Sequence, residues 1–252
     1  MIDALDISTK TTRIIMGMPI TVCIEESSIR EEVINEVFDY FAQIDERFST
    51  YKEGSEISQI NAGKLSKINY SKDMKEILNY AEDTKRITNG YFDILTSDKS
   101  LDPSGIVKGW AIDEASKLIT AHNIYKFYIE AGGDIQVGSD QSYIVGVRNP
   151  KDISEILLSV KLQDKAIATS GNYLRGQHIY DPHNYRAKPK NITSLSIISD
   201  NIFEADRFAT AAFAMGNPQG LVFIDLLPGF EACLVDEDNQ IFMTKGFSSY
   251  VQ

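Results

Sequence analysis

Along residues 27–48, Ile29, Val33, Val37, Phe41 and Ile44 recur three or four positions apart, with Glu31, Glu32 and Glu36 off that stripe. This is the period of an amphipathic helix with one buried face. Ser28 can cap it, with Glu31 three residues later. A second helix is predicted over 71–89: Met74, Ile77, Leu78 and Ala81 form its inner face, Ser71 caps its start, and Gly90 suits a left-handed stop. Two more follow. One runs from about 107 to 121 through Ala111, Ala115 and Leu118; the other covers 205–215 and ends at Gly216, with Pro218 just beyond.

Runs of strand length and β-branched content lie between and after these helices, at 126–130, 143–148, 156–162, 166–169, 193–198, 221–225, 232–236 and 240–244. The last two flank Glu237-Asp238-Asn239 and predict a closing hairpin. The apolar stretch 14–24 (IIMGMPITVCI) reads as a strand that begins the fold. It does not read as an export signal, because the preceding MIDALDISTK carries two aspartates before its first lysine. Strands outnumber helices without alternating with them. The predicted class is therefore α+β, a mainly antiparallel or mixed sheet with packed helices. No repeat or linker divides the 252 residues, so residues 1–252 are expected to form a single domain.

A chain that is 43% hydrophobic and 24% charged can bury a real core. Its net charge of −11 argues against a nucleic-acid partner, which requires a basic face. No stretch approaches the roughly 20 apolar residues of a transmembrane segment. Cys23 and Cys233 make no C-x-x-C motif and read as small buried hydrophobes. The expected location is cytoplasmic, a processed exported protein being the alternative.

Four segments carry candidate chemistry. In LDPSGIVKGWAID (101–113), Asp102, a turn and Lys108 at a helix start suit an anion site, and Asp102 suits a ribose hydroxyl or flavin N–H. A capping aspartate beside a solvated lysine fits the same residues. AGGD (131–134) after a strand permits a ligand to pass close by, or is simply a tight turn. ATSGNYLRGQHIYDP (168–182) brings hydroxyls together with His178 and Asp181, a base and its surroundings, whereas His122 and His183 read as structural. In EADRFAT (204–210), Asp206 and Thr210 are i and i+4 on one helix face. They offer hard oxygens that suit Mg²⁺ rather than zinc, or else are a packed structural pair. The standard dinucleotide and mononucleotide phosphate loops are absent.

Taken in order, these segments resemble the ApbE family, the FAD:protein FMN transferases. The resemblance runs along nearly the whole chain through MGMP (16–19), FSTYKEGSEISQIN (48–61), NGYFDI (89–94), LDPSGIVKGWAID, AGGD, ATSGNY, HIYDP and EADRFATAAFAMG. It implies the ApbE-like, T-fold-related architecture. It also implies an enzyme that binds FAD and Mg²⁺, moves FMN onto a Thr or Ser hydroxyl of a target flavoprotein as a phosphodiester, and releases AMP. Met16 and Tyr51 would line the FAD site, Tyr91, Phe92 and Asp93 would form another wall, and Tyr180 would lie against the flavin nucleotide. Asp102 and Lys108 would touch FAD directly. The main chain at Gly105, with Asp206, Thr210 and the backbone at Ala209, would form the metal site. His178 would be the base for the target hydroxyl, with Asp181 as its orienter, and Lys108 and Asp206 complete the catalytic set. Between NGYFDI and the Asp102 motif only residues 95–100 intervene, where the family usually carries a much longer loop. An FAD pyrophosphatase giving FMN and AMP, and a non-catalytic FAD-binding protein, remain open beside the transferase.

Overall fold

The computed structural model of the protein describes residues 8–25, 31–172, 176, 179–184 and 187–252. The chain opens with a hairpin of β1 (Ser8–Ile15) and β2 (Met18–Glu25), turning at Met16-Gly17 with φ of 55° and 70°. The run predicted as one opening strand is thus split by a turn, which the flexible Gly17 makes possible. Next come α1 (Glu31–Phe48), α2 (Glu56–Asn61), α3 (Lys72–Ile87) and α4 (Ser104–Ala121). The strands β3 (Phe127–Ala131), β4 (Asp134–Val137), β5 (Tyr143–Arg148), β6 (Ile156–Leu162), β7 (Ala166–Gly171) and β8 (Ser194–Ser199) follow. The chain closes with α5 (Ile202–Met215), α6 (Gln219–Asp225) and a hairpin of β9 (Glu231–Val235) and β10 (Ile241–Met243).

Eight strands form one sheet in the order β1-β2-β3-β4-β7-β8-β9-β10, each pairing antiparallel, while β5 and β6 pair separately. The α+β class with antiparallel pairing is as the sequence predicts. Alternation along the strands assigns the two faces. Ala166, Ala168, Leu195, Ile197, Ala232 and Leu234 join the main core with the helices, whereas Ile167, Ile198 and Cys233 face the β5–β6 hairpin and Phe247. The α1 stripe (Val33, Val37, Phe41, Ile44) is buried as its spacing requires, while Ser28 and Ile29 lie outside the described residues. Ser71 caps α3 by accepting from Met74 N at 3.1 Å, and Gly90 takes φ 83° past its end. No helix among the described residues is long and apolar enough to cross a membrane.

Three departures from the sequence reading have local causes. Residues 221–225, read as a strand, belong to α6: Gly220 and Ile224 are buried at helical spacing, and a Cβ on Gly220 would lie 2.1 Å from Ala212 O. A short apolar run does not separate strand from buried helix by period alone. The helix predicted from 107 begins at Ser104, whose amide donates to Asp102 Oδ1 at 3.0 Å. The helix predicted from 205 begins at Ile202. There Asn201 caps by accepting from Glu204 N at 2.9 Å, and the Ile202 amide donates to the buried Gln136 at 2.9 Å.

Candidate functional site

The turns at 16–17 and 132–133 share one end of the sheet, because Ala131 pairs with Ile20 and the Gly132 amide donates to Pro19 O at 3.3 Å. Gly132 and Gly133 have φ of 60° and 97°, a backbone that L side chains adopt only with strain, and Gly133 faces open space. The turn delivers Asp134 into the interior, where its carboxylate is fully buried and accepts from Thr169 N at 3.0 Å.

Helices α4 and α5 cross beside this point. Gly105 and Gly109 on α4 face Thr210 and Asp206 on α5, each pair spaced by four residues. A Cβ on Gly105 would sit 3.7 Å from Thr210 Oγ1 and 3.3 Å from Phe92 Cε2. A Cβ on Gly109 would meet Asp206 Cβ at 2.6 Å and Ile202 O at 2.9 Å. Glycine costs helix stability, and here the absence of a side chain lets a carboxylate reach the main chain: Gly109 N donates to Asp206 Oδ2 at 2.8 Å. Helical geometry would direct that amide at the Gly105 carbonyl. The Gly109 amide therefore serves Asp206 as well as its place in the helix. Gly109→Ala is expected to overpack the crossing by about 1–3 kcal/mol, lowering Tm by roughly 2–12 °C at this chain length. A thermal melt superimposable on the parent's would refute the close approach.

Lys108 reaches into the same space. Its ammonium pairs with Asp134 Oδ2 and lies 3.2 Å from Asp206 Oδ1. All three groups are shielded from water: the side chains of Lys108, Asp134 and Asp206 are 19%, 0% and 4% exposed. Burial disfavours the ammonium, but the two carboxylates outweigh it and hold the Lys108 pKa above its ordinary value. Burial pushes the Asp206 carboxyl up, and neighbouring Asp134 adds to this against the opposing pull of Lys108 and the Gly109 amide. One ammonium thus faces two buried carboxyl groups.

The remaining predicted residues fall into two groups. Phe92 is buried against Gly105, and Met16 is half-buried in the β1–β2 turn, packed on the core. Tyr91 borders a concavity of about 330 Å³ with Asn89, Met215, Val222 and Phe223, and its ring packs edge-on to His183 with centroids 4.7 Å apart. Asp102 and Asp93 serve the local backbone: Asp102 holds the α4 start, and Asp93 accepts from Leu95 N at 2.9 Å and pairs with Lys85 at 2.7 Å. Tyr180 is half-buried. Tyr51 is 96% exposed. His178 lies outside the described residues. Asp181 is engaged by His183, accepting from its amide at 2.9 Å and facing its Nδ1 at 2.8 Å; His183 Nε2 donates to Asn89 O at 2.9 Å.

Some positioning residues were not singled out from the sequence. Asn61 clamps the Leu101 backbone in both directions, donating to Leu101 O at 2.9 Å and accepting from Leu101 N at 2.8 Å. Leu101 in turn pairs with Leu95, so residues 95–101 close as a tight loop before the Asp102 motif. Arg207 grips Glu204 and donates to Thr84 Oγ1 at 2.9 Å, which ties α5 to α3 next to Asp206. Asp134 is the third. An asparagine at the end of a run ending at a helix terminus and an arginine after an aspartate carry no distinctive spacing; only the tertiary contacts expose them.

The profile of the ApbE family matches residues 16–98 and 95–234, two segments that meet at the tight 95–101 loop. The chain is 29% identical over 153 residues to the FAD:protein FMN transferase of Buchnera aphidicola subsp. Schizaphis graminum, covering 56% of this chain and 45% of that protein. It is 27% identical over 173 residues to the FAD:protein FMN transferase of Treponema pallidum, covering 60% and 48%. The chain therefore spans about half the length of these curated relatives. Among solved structures it is similar to the ApbE protein of Thermotoga maritima, with a TM-score of 0.87 at 18% identity over 97% of this chain and 99% of that one. The flavin transferase ApbE of Vibrio cholerae gives a TM-score of 0.85 at 18% identity, over 96% and 99%. At such identities the likeness is one of fold.

Proposed function

This chain belongs to the ApbE family, and we propose that it is an Mg²⁺-dependent FAD:protein FMN transferase, moving FMN from FAD to a Thr or Ser hydroxyl of a target flavoprotein with release of AMP. The observation that carries this reading is the α4–α5 crossing. There Gly109 fixes one oxygen of Asp206, Lys108 stands beside the other, and Thr210 and Gly105 lie one turn further along. The donor chemistry fits magnesium: a carboxylate, a hydroxyl and a main-chain carbonyl are hard oxygens, and a hard cation completes its shell with waters and substrate phosphate. Among the described residues no cluster of three or more His, Cys, Asp or Glu competes as a metal centre. When bound, Mg²⁺ neutralises charge on the diphosphate as its P–O–P bridge breaks.

The chain's own residues supply the rest. Asp206, Thr210 and the Gly105 carbonyl hold the cation. Lys108, one turn into α4, offers a positive charge, and the free amides of the first turn of α4 also favour an anion. Buried and pre-aligned, these groups stabilise the developing charge without reorganising. Tyr91, Met16 and Tyr180 provide apolar or aromatic surface for the flavin nucleotide, and Phe92, buried against Gly105, supports it from behind, while Asp93 and Asp102 shape the backbone beside it and Tyr51 reaches it only from the exposed surface. His178 takes the proton from the acceptor hydroxyl, a poor nucleophile near pH 7 without a base.

The test incubates the purified chain with FAD, Mg²⁺ and a candidate acceptor flavoprotein, then measures intact mass and nucleotides. The expected result is an acceptor heavier by one FMN phosphodiester, with one AMP per adduct. AMP with free FMN and unmodified acceptor would make the chain a pyrophosphatase. Bound FAD with no AMP would make it a flavin-binding protein.

A further inference from the structure

The AGGD motif belongs to the family resemblance, but that resemblance gives its aspartate no role, and Asp134 is the most completely buried carboxylate of the site. Asp134 Oδ1 is fixed by the Thr169 amide, and Oδ2 pairs with Lys108. Asp206 mirrors it: Oδ2 is fixed by the Gly109 amide, so Oδ1 is the oxygen left for a cation, and Oδ1 is where the Lys108 ammonium sits at 3.2 Å. A single ammonium is shared between two carboxylates, one of them the proposed metal ligand. A divalent cation arriving at Asp206 Oδ1 must displace the ammonium from that oxygen, and a buried charge cannot be left unpaired without a large penalty.

We propose that Asp134 is a positioning residue that draws the Lys108 ammonium away from Asp206 Oδ1 and keeps it paired when a divalent cation binds there; this rests on the metal assignment made above. Lys108 is then a built-in counter-cation of the metal-free site, and Asp134 is its berth in the loaded one. Without the Asp134 charge, Asp206 is the ammonium's remaining partner, and lysine and metal compete undivided for one oxygen.

The test measures Mn²⁺ binding to the FAD-free chain by electron paramagnetic resonance of free Mn²⁺, with folding checked by circular dichroism and thermal melts. Asp134→Asn is expected to weaken Mn²⁺ binding about tenfold or more. In a Lys108→Met background, where no ammonium competes, the same substitution should change it less than about twofold, so the pair is strongly coupled. Lys108→Met alone should tighten binding. This arm keeps the proposal falsifiable if Asp134→Asn does not fold. Equal losses from Asp134→Asn in both backgrounds, or weaker binding in Lys108→Met, would overturn the proposal and leave the metal assignment standing. Asp206→Ala is the separate check: unchanged Mn²⁺ binding there would overturn both.

Discussion

Asp206→Ala is expected to abolish Mg²⁺-dependent release of AMP from FAD, a loss of about 10³-fold or more if the bound cation supplies several kcal/mol to the transition state. Asp206 contributes the charged oxygen of the donor set; Thr210 Oγ1 and the Gly105 carbonyl are neutral and bind a hard cation weakly by themselves. The fold should survive. The substitution removes the charge-assisted bond from the Gly109 amide, which keeps the Gly105 carbonyl as its helical acceptor, at a cost of about 1–3 kcal/mol, while Lys108 keeps Asp134 as its counter-charge. Asp206→Asn separates the two roles, since the amide oxygen can still accept from Gly109 N but carries no charge for the cation. Chromatographic assay of AMP, alongside thermal melts, decides the matter. Turnover unchanged from the parent in Asp206→Ala would refute the assignment.

His178→Ala is expected to slow transfer of FMN to the acceptor by about 10²–10⁴-fold, the usual contribution of a general base, while FAD affinity stays within about threefold. Such a split marks a residue that acts on the hydroxyl's proton rather than on the nucleotide. Equal losses in transfer rate and in FAD affinity, the latter read from flavin fluorescence, would make His178 a binding residue. The sequence reading gave Asp181 the task of orienting this histidine. In the structure Asp181 is occupied by His183, which also reaches Asn89 O. This fastens residues 181–183 to Asn89, while His178 itself lies outside the described residues.

Periodicity carried the fold far. The α1 and α3 stripes, the Ser71 cap, the stops at Gly90 and Gly216 and the closing hairpin all depend on residues close in sequence, and all appear. The α6 misreading shows where that runs out: Leu221–Asp225 is helical because Gly220 lets it press against α5, a partner that periodicity does not register. The site divides in the same way. Lys108 at a helix start and the Asp206–Thr210 spacing were visible as local patterns. Gly109, which admits Asp206 to the α4 backbone, was not, because a helical glycine reads as a local defect until the opposing helix is known. Asp134 was masked by its own turn: the paired glycines drew attention to the backbone, while its carboxylate gains meaning only from Thr169 and Lys108, distant in sequence.

The central claim is a cation held between the α4 and α5 helices and gripping the diphosphate of FAD. Anomalous diffraction from crystals of the chain grown with FAD and Mn²⁺ tests it most directly. The account predicts a manganese peak within coordination distance of Asp206 Oδ1, Thr210 Oγ1 and the Gly105 carbonyl, with a phosphate oxygen completing the shell. A peak elsewhere, or a diphosphate bound away from this crossing, would contradict it.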